Sequence, residues 1–394
     1  MTRFKNQCKS NFIWNPFTNN RYSTKLYQMK TKILCLSLFI STLTFGQINS
    51  KINTLIKSEM RLGKTPALAV AVIDKGKIIH LSVDGLRDVK LNKKANVNTP
   101  FHIASVSKTV TNMAVFKLVE AGKIDLEADI NNYLPFKVEN PFFPNEKMTV
   151  ALLLKHRSGI KDDRKFYSPH WGNPKGDPKL ELAYLEDYLV PGGKLYKKSN
   201  YSNVPNHKAT FRYSNSGIAL LGYIVEQVSG MSYEDFCQQN IFKPMNMKNS
   251  SWFLKNLDSS LVAKTYIRNK AKEFIFKGHN GYPDYPGGQL RTSITDYSTL
   301  IAGYLNADKN NFVLKNETTK IITPKVNTPH LGYYTWFIKA INNNVYYEHG
   351  GGDTGVRTIS IIEPTKKRAI IIFSNHPYAF DDLYRNIEKE IWGK

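Results

Sequence analysis

Phe101-His102-Ile103-Ala104-Ser105-Val106-Ser107-Lys108-Thr109 (FHIASVSKT) is the stretch on which the reading of this chain turns. It contains Ser105-x-x-Lys108, and on a helix residues three apart share a face. The next residues, VTNMAVFKLVEAG, are apolar around much of a helical circumference and end in Gly122. This predicts a buried helix from about Ser105 to Ala121, stopped by the glycine. Ser105 would then sit in the first turn, at the positive end of the helix dipole. An amine beside a hydroxyl can take its proton or stabilise the alkoxide, which activates a serine without a histidine–aspartate pair. The same spacing recurs at Ser158-Gly159-Ile160-Lys161. That serine lies in a glycine-containing turn, whereas a nucleophile needs a rigid support, so Ser105 is preferred.

Upstream of this stretch, Ala67–Ile73 (ALAVAVI) and Ile78–Val83 flank the turn Asp74-Lys75-Gly76-Lys77, a hairpin pattern. Downstream, residues 125–280 read as helices and long polar loops. Residues 161–210 are rich in Pro, Gly, Lys, Asn and Tyr and suggest a loop region bordering a site. Ile218, Leu221, Val225 and Val228 mark a helix ending at Gly230, and Ser232 with Asp235 suggests a capped helix after it. Short β-type runs return at Tyr334–Ile341, Val345–Glu348, Arg357–Ile362 and Ala369–Ser374, before a last helix over Asp381–Trp392. The expected architecture is α/β: one antiparallel sheet built from the N- and C-terminal strands, flanked by helices, with a helical region inserted between its halves.

Two more signals share the order and setting of the first. Tyr213-Ser214-Asn215 stands directly before the 218–228 helix. The same Y-x-N pattern at Tyr201, Tyr304 and Tyr384 falls in an irregular loop or within helical patterns, where tyrosine usually packs. A tyrosine acts as a base only when cations lower its pKa of about 10, and Lys108 is the expected cation. His349-Gly350-Gly351-Gly352 falls between the strand ending at Glu348 and the one beginning near Arg357. Glycines there allow close approach to the backbone, and an exposed N–H can serve an oxyanion hole. Other H-x-G triplets, at His170, His279 and His330, show that the triplet alone is weak.

Taken together, FHIASVSKT, Phe211–Gly217 (FRYSNSG) and Glu348–Gly352 (EHGGG) resemble the three motifs of the serine β-lactamase and penicillin-binding superfamily. The similarity is to the branch holding class C β-lactamases, DD-peptidases, D-aminopeptidases and esterases, over roughly residues 60–380. Leu154–Gly159 (LKHRSG), Pro286–Ser293 (PGGQLRTS) and Ile370–Asn375 (IIIFSN) support it. The resemblance implies a β-lactamase/transpeptidase-like fold and an acyl-enzyme on Ser105. It makes Lys108 and Tyr213 the proton-handling residues and places Asn215, His349, Gly350 and Gly351 at the substrate. It gives the oxyanion hole to the backbone N–H groups of Ser105 and Gly352.

Many β-lactamases carry Lys-Thr-Gly or Lys-Ser-Gly at the third motif, and no such triplet occurs here. His349 stands where that lysine would be, and a histidine of pKa about 6.5 is mostly neutral at pH 7. Recognition of a substrate carboxylate should weaken, unless Arg357 takes that part. The expected substrate is a small ester, amide or D-amino-acid peptide, with cell-wall fragments among the candidates. A true β-lactamase or DD-peptidase is the alternative, and a non-catalytic sensor of wall fragments or β-lactams is the second. The mechanism calls for no cofactor, and the histidines lack a metal-ligand spacing such as H-E-x-x-H.

Composition bounds the rest. With 394 residues, 41% hydrophobic and 22% charged, the chain can bury a large core. The net charge is +23, of which the first 46 residues supply seven Lys/Arg and no Asp/Glu. The remaining excess is scattered, with no dense basic run and no nucleic-acid motif, so nucleic acid is not an expected partner. Residues 33–45 (ILCLSLFISTLTF), after Lys30 and Lys32 and before Gly46-Gln47, read as a secretory signal. They are short for a membrane span, which takes about 20 residues. The expectation is residues 1–46 as an upstream extension and signal, with Met29 as a candidate start. Residues 47–394 would form the hydrolase domain, periplasmic or secreted, with no span left after cleavage. Of Cys8, Cys35 and Cys237, only Cys237 lies in that domain, where it reads as a small core residue.

Overall fold

The computed structural model describes residues 46–63, 65–163, 175–205, 211–309, 312–325 and 333–393. The chain divides into two compact units, Met1–Lys51 and Ile52–Lys394. Of the first, only residues 46–51 are described, and they are helical. The proposed signal, Cys8 and Cys35 lie outside the described residues, as do His170, His330 and part of the 161–210 loop. No described helix is long and apolar enough to cross a membrane.

In the unit Ile52–Lys394, seven strands form one antiparallel sheet in the order β3-β2-β1-β11-β10-β9-β8. Its N-terminal part is β1 (Ala67–Asp74), β2 (Lys77–Asp88) and the short β3 (Lys93–Lys94). Two small ribbons lie apart from it, pairing β4 (Pro100–His102) with β7 (Arg291–Ser293) and β5 (Tyr266–Arg268) with β6 (Phe274–Phe276). The C-terminal part is β8 (Phe337–Ile341), β9 (Asn344–Asp353), β10 (Val356–Glu363) and β11 (Arg368–Ser374). The two parts meet where β1 pairs with β11, in the register Leu68↔Ser374 to Ile73↔Ala369. This is the antiparallel sheet from both termini that the sequence predicts.

The continuous apolar run of β1 has its reason here. Residues 67–73 are all buried, so the strand is covered on both faces. Four helices support the site or cover the sheet: α1 (Lys108–Glu120), α2 (Asn215–Ser229), α3 (Ile294–Leu305) and α4 (Asp381–Trp392). Helix α3 packs on β1 and β11, α4 on β11, and α1 against α2. Gly230, at φ +71°, closes α2 in the left-handed conformation expected of it. Cys237 is fully buried, and burial pushes its thiol up, as a core cysteine requires.

The second strand runs on to Asp88 rather than ending at Val83, residues Tyr184–Leu189 of the expected loop region are helical, and three boundaries nearer the site also differ from the sequence reading. Ser105 lies in a 3-10 turn, Ala104–Ser107, and the α-helix begins only at Lys108. The strand expected from Tyr334 starts at Phe337, because Tyr334 and Thr335 have φ of +37° and +74°. The third difference concerns the site. The glycines after His349 are not a connection between strands but part of β9, which runs to Asp353 and pairs Gly350, Gly351 and Gly352 with Ile359, Thr358 and Arg357 of β10.

Candidate active site

The turn that presents Ser105 is held on every side. Ala104 adopts φ +46°, a conformation an alanine takes only when its surroundings fix it. The Ile103 N–H donates to the Leu290 carbonyl (3.0 Å), and the Ile103 carbonyl accepts from Thr358 Oγ1 of β10 (2.7 Å). Ser107 Oγ donates to the Ala104 carbonyl (2.6 Å) and accepts from the Leu290 N–H (3.1 Å).

Strand β9 closes against this turn. Strand β8 pairs with it only from Asn344 to Glu348, so His349–Asp353 have no strand partner on that edge. A Cβ on Gly351 would stand 2.5 Å from the Ile103 carbonyl oxygen and 3.2 Å from the Ser105 nitrogen, so only glycine allows the approach. On Gly350 it would meet nothing within 4 Å, and on Gly352 only an Arg357 nitrogen at 3.9 Å. The glycine run thus serves first to seat the strand on the serine turn.

Lys108 is fully buried. Its Nζ lies 3.2 Å from Ser105 Oγ and 2.7 Å from Asn215 Oδ1, and it donates to the Gly287 carbonyl. Burial drives its pKa well below the ordinary lysine value, against the opposing pull of Asp284 and Asp162. Asp284 is likewise buried, and loss of solvent raises its carboxyl. Tyr213 hydrogen-bonds Ser105, and Lys108 Nζ lies 4.7 Å from the centre of its ring. The expected lowering of the Tyr213 pKa does not occur. Burial outweighs every other influence and lifts it above the ordinary tyrosine value.

His349 is 1% exposed. Its Nδ1 donates to the Gly350 carbonyl (2.9 Å), its ring packs edge-on to Phe337, and burial lowers its pKa to about 3. It is therefore a neutral imidazole beneath the site. Of the sequence-predicted residues, Ser105, Asn215 and Gly352 line a small cleft, together with Tyr282, Asp284, Gly287, Gly288 and Asp353. The alternative matches go elsewhere. Ser158 Oγ accepts from the Ile160 N–H, and the Tyr201 and Tyr304 hydroxyls donate to the carbonyls of Leu189 and Thr319.

Two carboxylates escaped the sequence reading. Asp162 accepts from the N–H groups of Asn215 (2.8 Å) and Ser216 (2.9 Å) and from the Ser214 and Ser216 hydroxyls. It thus satisfies the N-terminus of α2 and fixes Asn215. Asp284 precedes Pro286-Gly287 beside the cleft. Neither belongs to a local spacing pattern, so only the three-dimensional fold reveals them. Among the described residues, no group of three His, Cys, Asp or Glu could hold a metal ion.

The profile of the family described as Beta-lactamase matches residues 52–390. The chain belongs to the β-lactamase family. Protein flp of Staphylococcus aureus strain MRSA252 is 25% identical over 327 residues, which are 82% of this chain and 62% of the relative. The chain thus spans about three fifths of that relative's length. Beta-lactamase-like protein 4 of Dictyostelium discoideum is 24% identical, over 96% of this chain and 68% of its own. Among solved structures, the D-amino acid amidase of Ochrobactrum anthropi SV3 aligns with a TM-score of 0.69 at 17% identity, covering 88% and 98% of the two chains. The class C β-lactamase of Rhodobacter sphaeroides aligns at 0.65 and 19%, covering 86% and 97%. These likenesses carry the fold.

Proposed function

We propose that this β-lactamase family member is an exported serine hydrolase that forms an acyl-enzyme on Ser105 and hydrolyses an ester, amide or D-amino-acid peptide bond. The observation that carries the reading is the hydrogen-bond count at Lys108. A neutral amine has two N–H groups and one lone pair. Two of the three neighbours of Nζ, Asn215 Oδ1 and the Gly287 carbonyl, only accept. They take the two N–H groups, and the lone pair is left for the Ser105 hydroxyl proton. Burial favours this neutral form.

The steps follow from that arrangement. The Ser105 proton passes to Lys108 Nζ as Oγ attacks the substrate carbonyl carbon. The N–H groups of Ser105 and Gly352 stabilise the oxyanion. On collapse the leaving alkoxide or amine takes its proton from Tyr213, which its raised pKa keeps protonated and so able to donate to this more basic leaving group. The phenolate regains a proton from the Lys108 ammonium. A water then attacks the acyl carbon and gives its proton to Lys108, which passes it to Ser105 Oγ as the Oγ–acyl bond breaks, restoring the hydroxyl and the neutral amine and freeing the carboxylic acid product.

A carboxylate-bearing substrate is disfavoured. Neutral His349 offers no charge, and two acids, Asp284 and Asp353, line the cleft beside Ser105. The test is turnover of a chromogenic short-chain ester against a chromogenic cephalosporin, with Ser105→Ala as control. Ester hydrolysis alone supports the reading. Equal or faster cephalosporin hydrolysis makes the protein a β-lactamase despite His349. Inertness to both, with a stable acyl adduct, makes it a sensor.

A further inference from the structure

We propose that His156 is a positioning residue for Tyr213, holding the phenol ring by stacking and its backbone by hydrogen bonds on both sides. The proposal rests on the reading of Tyr213 as the acid in the reaction above. The His156 ring lies on the Tyr213 ring with centroids 4.5 Å apart and planes 30° apart. Its Nδ1 accepts the N–H of Ser214, the residue after Tyr213, at 3.2 Å. Its carbonyl accepts the N–H of Arg212, the residue before, at 2.8 Å. One residue therefore fixes the chain before, at and after the tyrosine.

Two features separate this from a packed core histidine. Acceptance of the Ser214 N–H at Nδ1 puts the ring proton on Nε2, and Nε2 has no partner among the described residues although it is buried. A histidine chosen only to fill space would not carry an unpaired buried donor, because an apolar ring fills the same space at less cost. The orientation is instead the one that serves Tyr213. Phe211 meets the His156 ring edge-on at 5.6 Å, and the Phe337 ring lies near-parallel to that of Tyr213 with centroids 6.5 Å apart. Tyr213 thus lies in an aromatic box in which His156 supplies the only stacking partner that also bonds the backbone, among the described residues.

His156→Asn is the variant of choice. Asparagine tolerates the left-handed φ of +53° at this position, and its Oδ1 can replace Nδ1 as acceptor, so the fold is kept while the stacking ring is lost. In the full chain, kcat for 4-nitrophenyl acetate should fall about 10- to 100-fold, the range expected when a reacting group is misplaced, with KM little changed. The double variant with Tyr213→Phe should lose no more than Tyr213→Phe alone, since the two act through one group. Unchanged kcat, or losses that multiply, would overturn the proposal.

A second measurement does not depend on turnover. Nitrogen-15 NMR of the imidazoles, with the His156 signal assigned by its absence in His156→Asn, should show the proton on Nε2. A proton on Nδ1 would overturn the proposal even in an active enzyme. If the wild-type protein neither turns over the ester nor labels at Ser105 with a fluorophosphonate, the hydrolase reading fails. The tautomer then decides the placement of His156 by itself.

Discussion

At Lys108 the balance between desolvation and charge decides what the site can do. Both neighbouring carboxylates favour the ammonium, and burial outweighs them. The consequence has a sign. Activity requires the free amine, so kcat/KM should rise with pH through a midpoint well below that of an ordinary lysine, reading the free enzyme. Lys108→Arg, which keeps the charge at all pH values, should cost about 10²–10⁴-fold in kcat, the usual worth of a proton-transfer group. A flat pH–rate profile would assign the base elsewhere. Ser105→Ala should abolish turnover, while Ser158→Ala, whose hydroxyl only accepts a local backbone N–H, should leave kcat nearly intact. Comparable losses in both folded variants would refute the choice between the two S-x-x-K matches. Ser105, Lys108, Tyr213 and Asn215 were legible because short spacings on defined elements carry them. Asp162 and Asp284 were not, because each reaches the site from a stretch whose local pattern says only turn or loop, and His156 stood in the supporting stretch LKHRSG without a role of its own. The Tyr213 pKa was misread for the same reason: sequence shows a possible cation but not the depth of burial.

Among the elements, β9 shows how a motif can be recognised and its placement misjudged. The glycines were read as lying between two strands, where they would let a ligand approach the backbone. The strand persists because β10 pairs with it through Asp353. The run is functionally uneven as a result. Gly351→Ala should push β9 off the Ser105 turn, since its Cβ would meet the Ile103 carbonyl. Its kcat should fall by about 10²-fold, as expected of a displaced oxyanion donor. Gly350→Ala, with nothing within 4 Å, should stay within a few-fold of wild type. A reversed ranking in steady-state kinetics would contradict this packing. The hairpin of β1 and β2, helix α2 with its glycine cap and the four C-terminal strands were predictable from periodicity and turn chemistry. The starts of α1 and β8 were not, because a 3-10 turn and two positive-φ residues set them, and both are products of tertiary contact.

The whole molecule buries several imidazoles in neutral form. Burial lowers His102 and His349 to about 3 and His80 and His279 to about 4. The unfolded chain binds these protons near pH 6.5, and the folded chain does not. Their contribution is therefore fully present above pH 6.5 and is lost as pH falls from there toward 3. Thermal melts should show the midpoint dropping steadily between pH 7 and pH 4. His349→Gln, which cannot take up that proton, should flatten the slope. An unaltered slope would remove His349 from the set.

The junction between β1 and β11 has one more consequence, which concerns time rather than structure. Leu68 finds its partner at Ser374, so the centre of the sheet joins residues about as far apart in sequence as this fold permits. Contacts of such long range form late, after the loop entropy of nearly the whole chain has been overcome. A polypeptide still emerging from the ribosome has β1 and β2 but no β11 to pair with the other edge of β1, and that edge stays open until β11 is made. The nascent chain is thus unable to lock into its final form early.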